Sequence, residues 1–210
     1  MTKAQFEFDL VILTAGNDER EALQSLLARP SSLGIRELRF TILKHPRRDP
    51  GCLRESAQVL ENYRSRAEFA LVLFDWEGSG REETPASQLE TEVEISLSQS
   101  GWTDRCAAVV IAPELEAWVW SDSPHVAVSL GSSGDVEALR QWLAEEGFEF
   151  HENGKPERPK EAMEACLRRA RIPRSASVYG EIAARVSLNR CGDPKFLRLR
   201  QMLKNWFGVA

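Results

Sequence analysis

The chain has 210 residues, 42% of them hydrophobic, which is enough for one ordinary domain with a sizeable core. Its four cysteines lie too far apart for a zinc or redox motif, and no apolar run is long enough to span a bilayer. The first residues lack the apolar segment of a signal peptide, and a net charge of −5 disfavours a broadly basic nucleic-acid-binding surface. We therefore expect a cytoplasmic protein with reduced thiols and no membrane contact.

Strand and helix patterns alternate along the first 122 residues. Apolar runs predict strands at 6–14, 37–43, 67–75 and 107–112, and apolar residues at helical spacing predict a helix after each strand. The segment 45–51 contains two prolines and a glycine, so we interpret it as a loop. This alternation predicts an α/β fold with a mainly parallel sheet covered by helices.

Beyond residue 122 the strand signal disappears, apart from a possible short strand at 148–151. Helical spacing predicts further helices near 136–143, 161–171, 177–186 and 194–207. We therefore divide the chain into an α/β core, 1–122, and a mainly helical extension packed on it, 123–210. Within the extension, the segment 155–204 is rich in basic residues, whereas 75–116 is acidic. The basic residues form either a solvated helical surface or a tail that touches phosphates beside an acidic metal centre.

Two acidic residues follow the third predicted strand directly. Asp75 and Glu77 are separated by one residue, so their side chains can point the same way if the backbone stays extended. Ligands of open parallel sheets bind beyond the carboxyl ends of the strands, and paired carboxylates there suit a hard cation such as Mg²⁺, or Mn²⁺. The alternative interpretation is a solvated strand end followed by a helix cap.

Other acids occupy the corresponding places after the first and fourth strands. Glu114 and Glu116 begin a predicted helix, where the helix dipole favours carboxylates without any function. If the order of the strands brings this loop beside Asp75, either glutamate can complete a metal shell. Asp18 and Glu19, after the first strand, carry the same ambiguity.

Three motifs together resemble a known family. They are Gly16 with Glu19, the segment Asp75-Trp76-Glu77-Gly78, and the segment Pro113-Glu114-Leu115-Glu116-Ala117-Trp118. These motifs resemble the Toprim-like proteins of bacterial defence gene clusters, for which methylation-associated phage-defence operons are one setting. The similarity is diffuse but spans most of the chain.

The resemblance implies a Toprim-like core with a Mg²⁺ site that serves phosphodiester cleavage or transfer. In that family the site consists of one glutamate after the first strand and an acid-x-acid pair after a later strand. Asp75 and Glu77 match the pair, with glutamate in place of the commoner second aspartate. Ala15 stands where the first acid is expected, and Glu19, one helical turn later, resembles a second acid of the defence-associated family.

On this basis we predict a Mg²⁺-dependent, nuclease-like component of a bacterial anti-phage defence system, with other defence proteins as partners. The predicted catalytic residues are Glu19, Asp75 and Glu77, and the predicted metal ligands are Asp75, Glu77, Glu114 and Glu116. The predicted contacts to a nucleic-acid backbone are Lys44, Arg47, Arg48, Lys155, Arg158 and Lys160. An inactive adaptor or regulatory subunit, which Ala15 favours, is the main alternative. A protein that binds a nucleotide or modified nucleic acid without cutting it is a third.

Overall fold

The centre of the fold is a four-stranded, all-parallel sheet, seen in a computed structural model that describes residues 6–209. Its strands are β1 (Phe8–Thr14), β2 (Phe40–Lys44), β3 (Ala67–Asp75) and β4 (Cys106–Ile111). Their spatial order is β2-β1-β3-β4, and Val11 of β1 lies opposite Thr41 on one side and Ala70 on the other. The predicted α/β class, with a mainly parallel sheet, is confirmed.

Helices connect the strands and are the main regular elements after β4. Those between strands are α1 (Asn17–Leu27), α2 (Pro30–Leu33), α3 (Arg48–Leu60) and α4 (Ala86–Leu97). Those after β4 are α5 (Glu116–Val119), α6 (Pro124–Ser129), α7 (Val136–Glu145), α8 (Pro159–Ala170), α9 (Ala176–Arg185) and α10 (Pro194–Phe207). Within residues 6–209, no helix combines the length and the apolar character needed to cross a membrane.

Two local predictions are wrong. The segment 45–51 is not all loop, because α3 already begins at Arg48. Pro50 lies in the first turn of that helix, where its missing N–H is not needed, and a Cβ on Gly51 would lie only 2.0 Å from Nδ1 of His45. Glycine therefore lets α3 pass close to this buried histidine. At 148–151 there is no strand, only an isolated bridge between Phe150 and Pro156.

The two faces of the sheet are covered by different sets of helices. Alternate strand residues such as Leu10 and Leu71 face a core formed with α1 and the helices of the C-terminal third. Their neighbours, such as Val11 and Val72, face a second core formed with α3 and α4. The helical extension thus covers one face of the sheet.

The outer edge of β4 is covered by side chains instead of another strand. Glu90 and Glu94 of α4 accept hydrogen bonds from the backbone N–H groups of Val110 and Ala108, at 3.0 and 2.9 Å. The ammonium of Lys195 on α10 donates to Glu90 at 2.7 Å. Because an uncovered strand edge offers free backbone groups for aggregation, these two carboxylates protect this edge and tie α4 to the sheet.

Candidate metal centre

The carboxyl ends of all four strands meet at one edge of the sheet, and each contributes an acidic residue. Glu19 lies in the first turn of α1, Asp49 in the first turn of α3, and Asp75 ends β3. Glu114 lies between β4 and α5, and Glu116 begins α5. From β1 the chain adds β2 on one side of the sheet and then β3 and β4 on the other, so the order of the strands switches between β1 and β3. Ligands of open α/β sheets bind at such a switch point.

These five carboxylates form two groups that share Asp75. One oxygen each from Glu19, Asp49 and Asp75 lie within 4.8 Å of one another, and the same holds for Asp75, Glu114 and Glu116. Glu19, Glu114 and Glu116 are buried, and the other two are half-buried. We call the five residues the acidic centre. Its geometry allows a metal ion to be held by either group, with Asp75 as the common ligand.

Two oxygens of the acidic centre are buried and have no hydrogen-bond partner in the described part of the chain. They are Oε2 of Glu19, whose residue is 6% exposed, and Oδ1 of Asp75. A Cβ on residue 16 would lie 2.8 Å from Oε2 of Glu19, so Gly16 leaves the space that this carboxylate occupies. Buried polar atoms are normally paired, so these two carboxylate oxygens are available to bind a cation.

The remaining carboxylates are held by protein groups. Oδ1 of Asp49 accepts the backbone N–H of Asp75 at 2.9 Å, which fixes the start of α3 against the end of β3. The ammonium of Lys160 lies 2.7 Å from Oε2 of Glu114. Oε1 of Glu116 accepts hydrogen bonds from the Tyr179 hydroxyl at 2.5 Å and from Arg174 at 3.2 Å. The extension therefore orients the two glutamates that follow β4.

Burial and mutual repulsion raise the pKa values in the acidic centre. The pKa of Glu19 rises to about 7, mainly through burial, with the charges of Asp49 and Asp18 adding to the effect. Burial also raises the pKa of Asp75 well above its usual range, and the four neighbouring carboxylates contribute. The centre without a metal therefore favours protonated carboxyl groups, and a cation must displace protons to bind.

The free energy of unfolding of the metal-free protein should depend on pH through the titration of Glu19. Because its pKa is raised from 4.5 to about 7, its contribution is fully present below pH 4.5 and is lost as the pH rises through 7. The loss is about 3 kcal/mol at about 1.4 kcal/mol per pKa unit. We expect the melting temperature in EDTA to fall between pH 5 and pH 8 relative to that of Glu19→Gln. Parallel curves for the two proteins would contradict this prediction. Comparing the two cancels the opposing effect of His45, whose pKa is lowered by burial.

The structure brings most, but not all, of the predicted site residues together. Glu19, Asp75, Glu114 and Glu116 belong to the acidic centre, whereas Glu77 is exposed and belongs to neither carboxylate group. The prediction for Glu77 assumed that the strand continues, but β3 ends at Asp75. The chain then turns, with Ser79 N–H bonded to the Trp76 carbonyl at 3.2 Å, and Glu77 stays outside both carboxylate groups, although its charge contributes to the raised pKa of Glu114.

The six predicted nucleic-acid contacts have different surroundings. Lys44 and Arg48 are exposed, and Arg47 is exposed but paired with Glu55. Lys160 is paired with Glu114 in the acidic centre. The other two lie in the extension: Lys155 is paired with Asp193 at 2.9 Å, and Arg158 lies over the Phe148 ring at 5.2 Å.

Sequence reasoning missed three residues of the site. Asp49 was hidden in a segment interpreted as loop, although it follows a predicted strand as Glu19 and Asp75 do. Arg174 and Tyr179 lie about 60 residues after Glu116 in the chain. No local sequence pattern predicts that these two residues contact Glu116, because the contact depends on how α9 packs against α1.

Comparison with family models, with curated proteins and with solved structures found no match to this chain. We therefore infer function from the acidic centre and its surroundings.

Proposed function

We propose that this protein is a Mg²⁺-dependent phosphodiesterase acting on nucleic acid, and that it serves as the nuclease-like component of a bacterial anti-phage defence system. The observation that carries the proposal is the acidic centre. Five carboxylates from four strand ends converge, and buried oxygens of Glu19 and Asp75 have no hydrogen-bond partner within residues 6–209. The defence setting comes from the Toprim-like motifs of the sequence.

The donor set fits a hard divalent cation. All five groups are carboxylates, the ligands that Mg²⁺ and Mn²⁺ prefer, and neither carboxylate group includes a cysteine or histidine. Asp75 would be the central ligand, with Glu19 and Asp49 on one side and Glu114 and Glu116 on the other. When bound, Mg²⁺ supplies the positive charge that polarises a phosphoryl oxygen and lowers the pKa of water.

The protein's own groups supply the remaining parts of such a reaction. With a cation held by Asp75, Glu114 and Glu116, Glu19 would be left to accept the proton of an attacking water, because its buried Oε2 has no hydrogen-bond partner among residues 6–209. Arg174, 41% exposed at its side chain, contacts both Asp18 and Glu116 at 3.2 Å, so one guanidinium borders the centre and the solvent. With Lys160 and the exposed Arg48 it provides cations for the phosphates that flank the scissile bond.

Cleavage of defined substrates tests the proposal. Purified protein is incubated with single- and double-stranded DNA and RNA in Mg²⁺, in Mn²⁺ and in EDTA. We expect cleavage only with a metal and a loss of about 100-fold or more in Glu19→Gln, the usual scale for a lost general base. Glu37→Gln, an exposed glutamate outside the acidic centre, is the matched control and should retain full activity.

Two other results would replace the proposal. Metal binding without cleavage of any substrate would favour a protein that binds nucleotides or nucleic acid without cutting. If the protein neither binds metal nor cleaves any substrate, the adaptor interpretation is favoured. In that interpretation Ala15 marks a lost active site.

A further inference from the structure

A cavity of about 180 Å³ lies beside the acidic centre. Pro113 and Ala117 in its wall are chain neighbours of Glu114 and Glu116, and Pro159 in its wall precedes Lys160, which binds Glu114. The cavity and the acidic centre therefore share one loop and the start of one helix. A cavity of about 150 Å³ admits a benzene-sized ring, so this one admits a single planar heterocycle.

The walls of the cavity are rich in proline. Four prolines line it: Pro113, Pro156, Pro159 and Pro194. Proline has a fixed φ and a ring without polar side-chain atoms, so these residues offer apolar surfaces with little conformational freedom to lose on binding. Such walls suit the faces of an aromatic ring.

The polar groups of the cavity include donors with spare hydrogens. The Lys155 ammonium donates one hydrogen bond to Asp193, at 2.9 Å, and an ammonium has three protons to donate. Asn153 uses its carbonyl oxygen to accept the Lys155 N–H at 3.1 Å, which leaves its amide NH₂ without a partner among residues 6–209. Asp193 is saturated, because its other oxygen accepts from Trp118, Lys195 and Phe196. The donors available to a ligand are therefore on Lys155, on Asn153 and on the exposed imidazole of His151, which also lines the cavity.

One acceptor completes the lining. Glu157 is exposed and lines the cavity, and its carboxylate has no hydrogen-bond partner in the described part of the chain. These donors and the Glu157 carboxylate match a ring that has acceptors on one edge and N–H groups on another. Guanine has this pattern, with O6 and N7 as acceptors and an exocyclic NH₂ as donor, whereas adenine presents an NH₂ beside N7.

We infer that this cavity binds an unstacked guanine base of the substrate, next to the phosphodiester held at the acidic centre. The inference rests on the proposed function and adds the substrate's base identity to it. Recognition of a base on its edges requires that the base leave the stack, so the substrate is single-stranded or locally opened nucleic acid.

The test is a calorimetric titration of the full-length protein with GMP, AMP, CMP and UMP, in EDTA and again in Mg²⁺. We expect GMP to bind about tenfold or more tightly than the others in both buffers, because the base contacts do not involve the metal. Asn153→Ala and Glu157→Gln should each lower GMP affinity about tenfold and leave Mg²⁺ affinity unchanged. Asn205→Ala, an exposed asparagine on α10, is the matched control.

A cavity-filling variant, Ala117→Leu, should also exclude GMP. If Ala117→Leu does not fold, Asn153→Ala and Glu157→Gln still test the inference. Equal affinity for all four nucleotides, or GMP binding unaffected by Asn153→Ala and Glu157→Gln, would overturn the inference while leaving metal binding and cleavage intact. Failure of the proposed function would look different, since Mg²⁺ binding and cleavage would then be absent whatever the base preference in EDTA.

Discussion

Replacing Asp75 by asparagine should abolish metal binding and at the same time stabilise the metal-free protein. Asp75 belongs to both carboxylate groups, so its loss removes a ligand from each. We expect Mg²⁺ and Mn²⁺ affinity to fall by about 100-fold or more, since removing even outer-shell partners costs about 10- to 100-fold. Titration calorimetry on the wild type and Asp75→Asn measures this difference.

The expected stabilisation has a separate cause. Burial and four neighbouring carboxylates raise the pKa of Asp75 well above its usual range, which means that its charge is unfavourable in the folded protein. Asparagine has nearly the same shape, removes the charge, and offers an NH₂ donor to the adjacent carboxylates. We expect a gain of about 1–2 kcal/mol, or roughly 2–8 °C in melting temperature for a chain of this size, measured in EDTA.

Asp104→Asn is the matched control, because Asp104 is exposed and lies just before β4, at the amino ends of the strands and away from the acidic centre. It should change neither metal affinity nor melting temperature. An Asp75→Asn protein that still binds Mg²⁺ as the wild type does would remove Asp75 from the site. One that loses stability in EDTA would show that the carboxylate has a structural role.

Glu90→Ala should be the most destabilising of the substitutions considered, although it lies outside the acidic centre. Glu90 is 3% exposed and accepts hydrogen bonds from the Val110 N–H at 3.0 Å and the Lys195 ammonium at 2.7 Å. Alanine leaves a buried backbone donor unpaired and a largely buried ammonium without its partner. Breaking a buried pair in this way costs about 3–5 kcal/mol.

Chemical denaturation of the wild type and Glu90→Ala measures that cost as a change in the free energy of unfolding. Glu92→Ala is the control on the same helix, because the Glu92 side chain is 39% exposed and its contact with Arg81 is 3.4 Å long. That substitution should cost less than about 1 kcal/mol. Similar losses for the two variants would mean that the covered edge of β4 contributes little to stability.

The α/β class was predictable because it depends on local patterns. The run from Ala67 to Asp75 is apolar, has the length of a strand and is bounded by polar residues, and the structure has β3 over these residues. Helix α10 likewise begins at Pro194 and ends at Phe207, as the spacing of its apolar residues and the N-terminal proline indicate. Such signals need no knowledge of the rest of the chain.

The start of α3 was not predictable in the same way. Pro50 and Gly51 are typical of loops, but here proline occupies the first helical turn and glycine allows contact with His45. Both roles follow from the packing of α3 on the sheet. Because the prediction stopped at the local pattern, it missed Asp49, which is part of the acidic centre.

The acidic centre was predictable in kind but not in membership. The rule that ligands bind at the carboxyl ends of parallel strands selected Glu19, Asp75, Glu114 and Glu116, and in the structure Asp75 shares one carboxylate group with Glu19 and another with Glu114 and Glu116. Glu77 was selected on the assumption of extended backbone, and the turn after Asp75 removes it. Which acids of a strand-end loop converge depends on where each strand stops, and sequence patterns locate such boundaries least well.

The most direct test of the central claim is a crystal structure of the protein soaked in Mn²⁺, with anomalous diffraction data. The account predicts an anomalous peak within bonding distance of Asp75, flanked by Glu19 and Asp49, by Glu114 and Glu116, or by both groups. Well-ordered carboxylates at Asp75 and Glu19 with no anomalous peak between them, in crystals soaked at millimolar Mn²⁺, would contradict it.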